Sequence, residues 1–120
     1  MGMDRDRRVE TSLPLRPVEF HILLSLAGGE RHGYGIMQDI KERGEAAPDI
    51  GTLYPSLARL VDQGLIEATE SRGSSDADDE RRNYYCITDI GLRIAKAEAR
   101  RLEALMRAAR LGGLLEKGAK

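Results

Sequence analysis

The spacing of apolar residues changes at Gly64, and this change restricts the chain to a fold that combines helices with a small sheet. Before Gly64, apolar residues recur every three or four positions, as they do on the buried face of a helix. After it, residues 65–70 and 83–88 alternate apolar and polar side chains, which is typical of strands. The helical spacing returns from residue 89. The sequence therefore predicts a mainly α domain of the α+β class with one β-hairpin.

Three helices are predicted before the hairpin. The first follows Pro17 and ends at Gly28, the second runs from Gly33 to Gly44, and the third ends at Gly64. The start of the third helix is less obvious, because a start at Asp49 would place Pro55 beyond the first turn, where proline is costly. We therefore expect this helix to begin near Gly51 or Thr52.

A polar loop and a long helix complete the predicted architecture. Residues 71–82 form a loop that is too long for a two-residue turn, and a helix then runs from Thr88 or Asp89 to about Leu111. Together these elements predict a winged helix-turn-helix domain over residues 13–88, with the third helix as the recognition helix. Residues 1–12 are expected to be a disordered arm, and residues 89–120 a C-terminal dimerisation helix and tail. A generic α+β domain with no role on DNA is the alternative.

Composition excludes several classes of protein. The 120 residues suit a single domain, and the longest apolar run is far shorter than the roughly 20 residues of a membrane span. The charged N-terminus is followed by no apolar secretion segment, which favours the cytoplasm. Cys86 is the sole cysteine, and it lies far in sequence from His21 and His32, so neither a metal site nor a catalytic set is predicted. We expect no cofactor and no enzymatic activity.

Charge is distributed unevenly although the formal net charge is −1. Residues 45–67 carry one base against four acids, whereas residues 89–120 carry eight bases against four acids. A near-neutral protein has no overall attraction to nucleic acid, so any DNA-binding surface depends on where its bases lie.

Four short segments resemble one known family in their order and spacing. They are His32-Gly33-Tyr34-Gly35-Ile36, Gly51-Thr52-Leu53-Tyr54-Pro55-Ser56-Leu57, Gly64-Leu65-Ile66, and Tyr84-Tyr85-Cys86-Ile87-Thr88 followed by Gly91. With these segments, about Leu13 to Leu111 is similar to the PadR family of bacterial transcriptional regulators. The resemblance implies a winged-helix dimer that is usually a repressor, of the short branch with one C-terminal helix.

Candidate DNA-binding residues cluster at the start of the third helix. Thr52, Tyr54 and Ser56 place hydroxyl groups in its first turns, where backbone N–H groups also approach phosphates or base edges. Arg59 lies one to two turns further on, within reach of a phosphate or a guanine. Capping and packing for the hydroxyl residues, and a solvated position for Arg59, are the alternatives. The resemblance further implies that Tyr34 contacts the DNA backbone.

The wing and the residue before Arg59 depart from the family pattern. A basic residue is common at the position of Ala58, and the wing tip is often basic, whereas here it carries Asp76, Asp78, Asp79 and Glu80. These acids would repel phosphate, which leaves Arg81 and Arg82, with Arg72, as the useful bases of the wing.

The long helix carries an apolar face that predicts pairing with a second copy of the chain. Leu102, Leu105 and Ala109 recur at spacings of three and four, with Met106 beside them. A domain of this size has little surface left to cover that face, so dimerisation is favoured over folding back onto its own core.

The sequence as a whole predicts a homodimeric DNA-binding repressor that occupies an inverted-repeat operator on double-stranded DNA. Its effector is not identified, but the five aromatic residues all lie outside the long helix, which offers Met106 and alanines. This composition favours a small apolar effector bound weakly between the paired helices, or no effector there. The alternative is a winged-helix protein-interaction module that does not bind duplex DNA.

Overall fold

The structure, a computed structural model, describes residues 2–69 and 83–116. In this part of the chain the helices are α1 (Gly2–Thr11), α2 (Pro17–Ala27), α3 (Gly33–Glu42), α4 (Ile50–Asp62) and α5 (Asp89–Leu111). The strands are β1 (Arg31–His32), β2 (Ile66–Thr69) and β3 (Tyr84–Ile87). The predicted α+β class is confirmed, and the third predicted helix corresponds to α4.

Helix α2 forms the centre of the core. Its residues Ile22, Leu23 and Leu26 are almost fully buried, and the helix contacts α3, α4, α5 and β3. The apolar faces of α3 and α4 close over it through Ile36 and Leu57. One continuous core therefore fixes α4, the predicted recognition helix, relative to the rest of the fold.

The N-terminal segment differs from the expected disordered arm, because residues 2–11 form helix α1. Val9 packs against the core, the guanidinium of Arg8 donates a hydrogen bond to the carbonyl of Gln63, and α1 contacts α5. Such a short helix is marginal alone and gains its stability from tertiary contacts. The sequence pattern of a polar, charged segment carried no sign of those contacts.

Helix α4 begins earlier than predicted. The Oδ1 atom of Asp49 accepts a hydrogen bond from the N–H of Thr52 over 2.9 Å, which caps the helix at Ile50. Pro55 therefore lies inside the helix and leaves the carbonyl of Gly51 without its usual partner. Because Gly51 is exposed, water can bind that carbonyl, and the burial of Leu53, Leu57 and Leu60 together with the cap offsets the cost of the proline.

The predicted hairpin forms with the predicted faces paired. Strands β2 and β3 are antiparallel, with Ile66 opposite Ile87 and Ala68 opposite Tyr85. The two-residue strand β1 pairs with the other edge of β3, which gives the order β1-β3-β2. Strand β1 was not predicted, because two residues are too few to show an alternating pattern.

A tight junction joins the hairpin to α5. The hydroxyl of Thr88 accepts a hydrogen bond from the N–H of Gly91, 3.1 Å away, and lies 2.7 Å from the carbonyl of Gly64. A Cβ atom at Gly91 would lie 2.0 Å from the carbonyl oxygen of Leu65. Glycine is thus required at position 91 for the first turn of α5 to pack directly against the backbone that leads into β2.

Candidate nucleic-acid interface

Helix α4 has one buried face and one exposed face. Leu53, Leu57 and Leu60 on the inner face are almost fully buried. We call the exposed residues of this helix the outer face of α4, and they are Ile50, Gly51, Thr52, Pro55, Ala58 and Asp62. The structure thus brings the predicted contact Thr52 to the surface at the start of the helix.

Ser56 is a correction to the predicted DNA-contact set. Its side chain lies on the inner face, its exposure is 2%, and its hydroxyl donates a hydrogen bond to the carbonyl of Thr52. A hydroxyl that is buried and bonded to its own helix cannot reach a phosphate or a base edge. The capping and packing alternative therefore applies at this position.

Tyr54 is half-buried and joins α4 to the start of α3. A Cβ atom at Gly33 would lie 2.8 Å from the hydroxyl oxygen of Tyr54 and 3.2 Å from its ring. The tyrosine ring therefore packs directly on the backbone of Gly33, which explains why a glycine begins α3. Contact of Tyr54 with DNA stays a prediction.

Arg59 is held by a buried carboxylate that sequence reasoning did not identify. Its Nε atom donates a hydrogen bond to Oε2 of Glu19 over 2.9 Å, and Glu19 is buried in the first turn of α2. This ion pair links α4 to the first turn of α2. The sequence did offer one sign of this pair, since Glu19 is an acid in a largely apolar helix and a buried carboxylate needs a partner. Whether Arg59 also reaches DNA stays a prediction.

Tyr34 lies on the surface at the start of α3 within a small aromatic cluster. Its side chain is 59% exposed, and its hydroxyl accepts a hydrogen bond from the amide of Gln38. The ring of His32 stacks beside it with the centroids 6.5 Å apart, and the ring of Tyr84 in β3 meets His32 edge-on at 5.6 Å. His32 also caps α3, since its Nδ1 atom accepts the N–H of Gly35. The cluster therefore joins the start of α3 to the wing.

Two arginines near this cluster are engaged by an acid of α3. Asp39 pairs with Arg43, and the guanidinium of Arg31 lies 3.7 Å from its Oδ1 atom. The hydroxyl of Ser25 lowers the pKa of Asp39 by hydrogen bonding, the two arginines lower it further, and burial opposes them. These arginines therefore hold α3 against α2, and their charge is partly neutralised.

Arg81 and Arg82, the predicted bases of the wing, lie outside the described residues. Within helix α4, Arg59 is the only basic residue. The described part of the predicted DNA-binding surface is thus poor in positive charge, as the sequence indicated.

The predicted dimerisation residues lie on one side of α5. We call Leu102, Leu105, Met106 and Ala109 the seam of α5. Leu105 is 50% exposed and Met106 41% exposed, while the other two are half-buried. The first half of α5 packs on α1 and α2 through Ile94 and Ala95, so the same helix has a buried beginning and an open end.

Other types of site are absent from the described residues. Residues 2–69 and 83–116 contain no group of three or more histidine, cysteine, aspartate or glutamate residues placed to hold a metal ion. Over the same ranges, no helix is both long enough and apolar enough to cross a membrane.

Comparison with known proteins identifies the family. Residues 22–97 match the model of the transcriptional regulator PadR-like family. The transcriptional regulator Rv3488 of Mycobacterium tuberculosis is 36% identical over 96 residues, which cover 80% of this chain and 84% of that protein. A 37.1 kDa protein encoded in transposon Tn4556 of Streptomyces fradiae is 31% identical over 84 residues, which are 70% of this chain and 22% of that protein.

One solved structure with a similar fold contains operator DNA. The crystal structure of Bacillus subtilis PadR with operator DNA superposes with a TM-score of 0.59 at 26% identity, covering 68% of this chain and 46% of that one. This chain therefore spans less than half of that protein and under a quarter of the Streptomyces protein. The family match covers more than half of this chain, and the winged-helix fold agrees with it. The chain belongs to the PadR-like family of transcriptional regulators and is accordingly a regulator and not an enzyme.

Proposed function

We propose that the protein is a homodimeric repressor that binds an inverted-repeat operator in the cytoplasm. The observation that carries the proposal is the outer face of α4, which a packed helix-turn-helix core holds exposed. An exposed recognition helix on such a core can enter the major groove. The operator complex of Bacillus subtilis PadR, a structural neighbour of this chain, supports duplex DNA as the partner.

The seam of α5 supports the dimer. Leu105 and Met106 are large apolar side chains left exposed at the end of a helix whose beginning is buried. Pairing two seams would cover these side chains and would present two recognition helices about one DNA turn apart. An inverted-repeat operator matches that two-fold arrangement.

A gel-shift experiment with DNA from upstream of the protein's own gene tests the proposal. The dimer should bind this duplex at low salt and release it as salt rises, because bound phosphates take the place of counterions. A scrambled duplex of the same length is the control. If no duplex binds at low salt, the DNA proposal fails and the winged-helix protein-interaction module is the better description.

The sign of control and the effector are parts of the same proposal. Addition of the protein to a purified transcription system should lower the output from the bound promoter. Phenolic acids and planar cationic dyes are suitable probes of a small apolar effector site, measured by calorimetry on the dimer. The seam offers Met106 and no aromatic residue, so weak and unselective binding is expected. Submicromolar binding that a Met106 substitution abolishes would contradict this expectation.

A further inference from the structure

The outer face of α4 has an unusual chemistry for a surface that meets DNA. Its members are one large aliphatic side chain, one threonine, the small or rigid residues Gly51, Pro55 and Ala58, and Asp62 in the last turn. Asp62 is the only charged residue among them, and none of them is basic. Arg59, the one basic residue of α4, donates its Nε–H to Glu19, so part of its guanidinium is engaged in holding α2.

The N-terminus of α4 is also unsuited to anchoring a phosphate. The carboxylate of Asp49 accepts a hydrogen bond from the N–H of Thr52, so this backbone donor is not available to a phosphate. Its negative charge lies where a phosphate would otherwise approach. The helix end of α4 is therefore less suited to a phosphate, which leaves the exposed hydroxyl of Thr52 as the group of this turn that can contact the DNA backbone.

Ile50 occupies the position from which recognition helices reach base edges. It is the first residue of α4, and 65% of it is exposed to solvent. In the major groove, thymine alone among the four bases presents a methyl group, and apolar side chains distinguish thymine by contacting it. The small residues that follow Ile50 on the outer face allow the helix backbone to approach the groove closely.

We propose that Ile50 is a specificity-determining residue that reads a thymine methyl group in each half of the operator. The inference rests on the proposed DNA-binding function and adds the chemistry by which the helix selects its sequence. The contact buries two apolar groups from water, so it needs no charge and is insensitive to salt.

Replacement of thymine by deoxyuridine tests the contact directly, because it removes only the methyl group. The operator is first obtained by in vitro selection from random duplex DNA, and each thymine is then replaced in turn. At one thymine in each half-site, the change should weaken binding of the unaltered protein about fourfold, as expected for one buried methyl group. The same change should have no effect on binding of an Ile50→Ala variant.

Two further variants serve as controls for the deoxyuridine experiment. Leu24→Ala shortens an exposed aliphatic side chain of α2, 41% exposed, and should respond to deoxyuridine like the unaltered protein. Ile50→Val keeps a branched side chain and should retain part of the discrimination. Circular dichroism checks that each variant is folded, as expected for a change at an exposed position.

The outcomes separate this inference from the proposed function. If selection enriches a duplex but no thymine responds, or if Ile50→Ala responds like the unaltered protein, the role of Ile50 is overturned while DNA binding stands. If no duplex is enriched or bound at low salt, the proposed function fails and the inference fails with it.

Discussion

Two exposed helix surfaces in this protein differ in almost every property except exposure. The outer face of α4 combines small residues with one aliphatic side chain and carries a single charge, that of Asp62 in the last turn. The seam of α5 consists mainly of large aliphatic side chains, and charged residues such as Glu103 and Arg107 flank it. Exposure alone therefore does not indicate a partner, and side-chain size and charge are the properties in which the two surfaces can be compared.

The chemistry of each proposed partner accounts for the difference. A helix that enters the major groove must approach base edges closely, and an acid in the middle of its exposed face would meet phosphates on either side. A helix that pairs with its own copy needs large interlocking side chains and flanking charges that keep the surface soluble. The following predictions test whether the two surfaces have these separate roles.

The largest effect is expected from two changes in the seam of α5. Leu102→Glu with Leu105→Glu places two carboxylates in an apolar interface, at a cost of a few kcal/mol each. The protein should become a folded monomer in analytical ultracentrifugation and should lose operator affinity, because one recognition helix alone holds half of the operator.

Ala104→Glu is the matched control for these changes. Ala104 is exposed on the other side of the same helix, so this change should leave the dimer intact. An unchanged dimer in the double seam variant would place the interface elsewhere and remove the distinction between the two surfaces.

The next effect concerns the outer face of α4. In the proposed complex the outer face of α4 lies between phosphates, and Ala58→Glu adds a carboxylate to it. This change should weaken operator binding by about 2–4 kcal/mol through like-charge repulsion. Because Ala58 is exposed, the free energy of unfolding should change little. Fluorescence anisotropy with labelled operator and thermal unfolding measure the two quantities.

The same substitution on the two helices makes the comparison direct. Ala58→Glu and Ala104→Glu both replace an exposed alanine of a helix by glutamate. Equal loss of operator affinity in the two variants would mean that α4 has no special relation to DNA.

A smaller effect is expected at the ion pair that holds α4. Arg59→Ala leaves the buried carboxylate of Glu19 without its donor, so the free energy of unfolding should fall by about 1–3 kcal/mol. If Arg59 acts by positioning α4, Glu19→Gln should weaken operator binding as well, although Glu19 is buried. If only Arg59→Ala weakens it, Arg59 contacts DNA itself.

The pair between Glu98 and Arg101 in α5 provides the control. Both guanidinium contacts of Arg101 to the buried Glu98 lie within one helix, at 2.7 and 2.9 Å. Arg101→Ala should therefore also lower the free energy of unfolding. As long as this variant still forms a dimer, its affinity for the operator should not change.

Much of the fold follows from sequence patterns because its elements are locally encoded. The apolar spacing predicted α2, α3 and α5, and glycines and capping residues marked their ends. The alternation around Tyr85 predicted the paired faces of the hairpin. These patterns depend on neighbours within a few residues, so a single sequence is enough to read them.

The features that were missed depend on contacts between distant segments. Helix α1 is stabilised by Arg8 and by packing on α5, and the partner of Arg59 lies 40 positions away in α2. Ser56 is different, because its place on the buried side follows from its spacing of three after Leu53 and four before Leu60, which the sequence already showed. The residue types of the outer face of α4 can be read from the sequence, whereas which way this face points relative to the rest of the fold is seen only in the structure.

The smallest effect is expected from the wing residues between 70 and 82, which lie outside the described residues. Arg81→Ala and Arg82→Ala should each lower the slope of log affinity against log salt by about one, if each arginine neutralises one phosphate. Asp78→Asn with Asp79→Asn should tighten binding, because two acids near the phosphates are removed. Binding measured between low and moderate salt gives both results. The seam of α5 supplies the contrast, since removal of Arg107 there should not change the slope. If neither pair of wing changes alters the slope or the affinity, the wing stays off the DNA and α4 alone carries the contact.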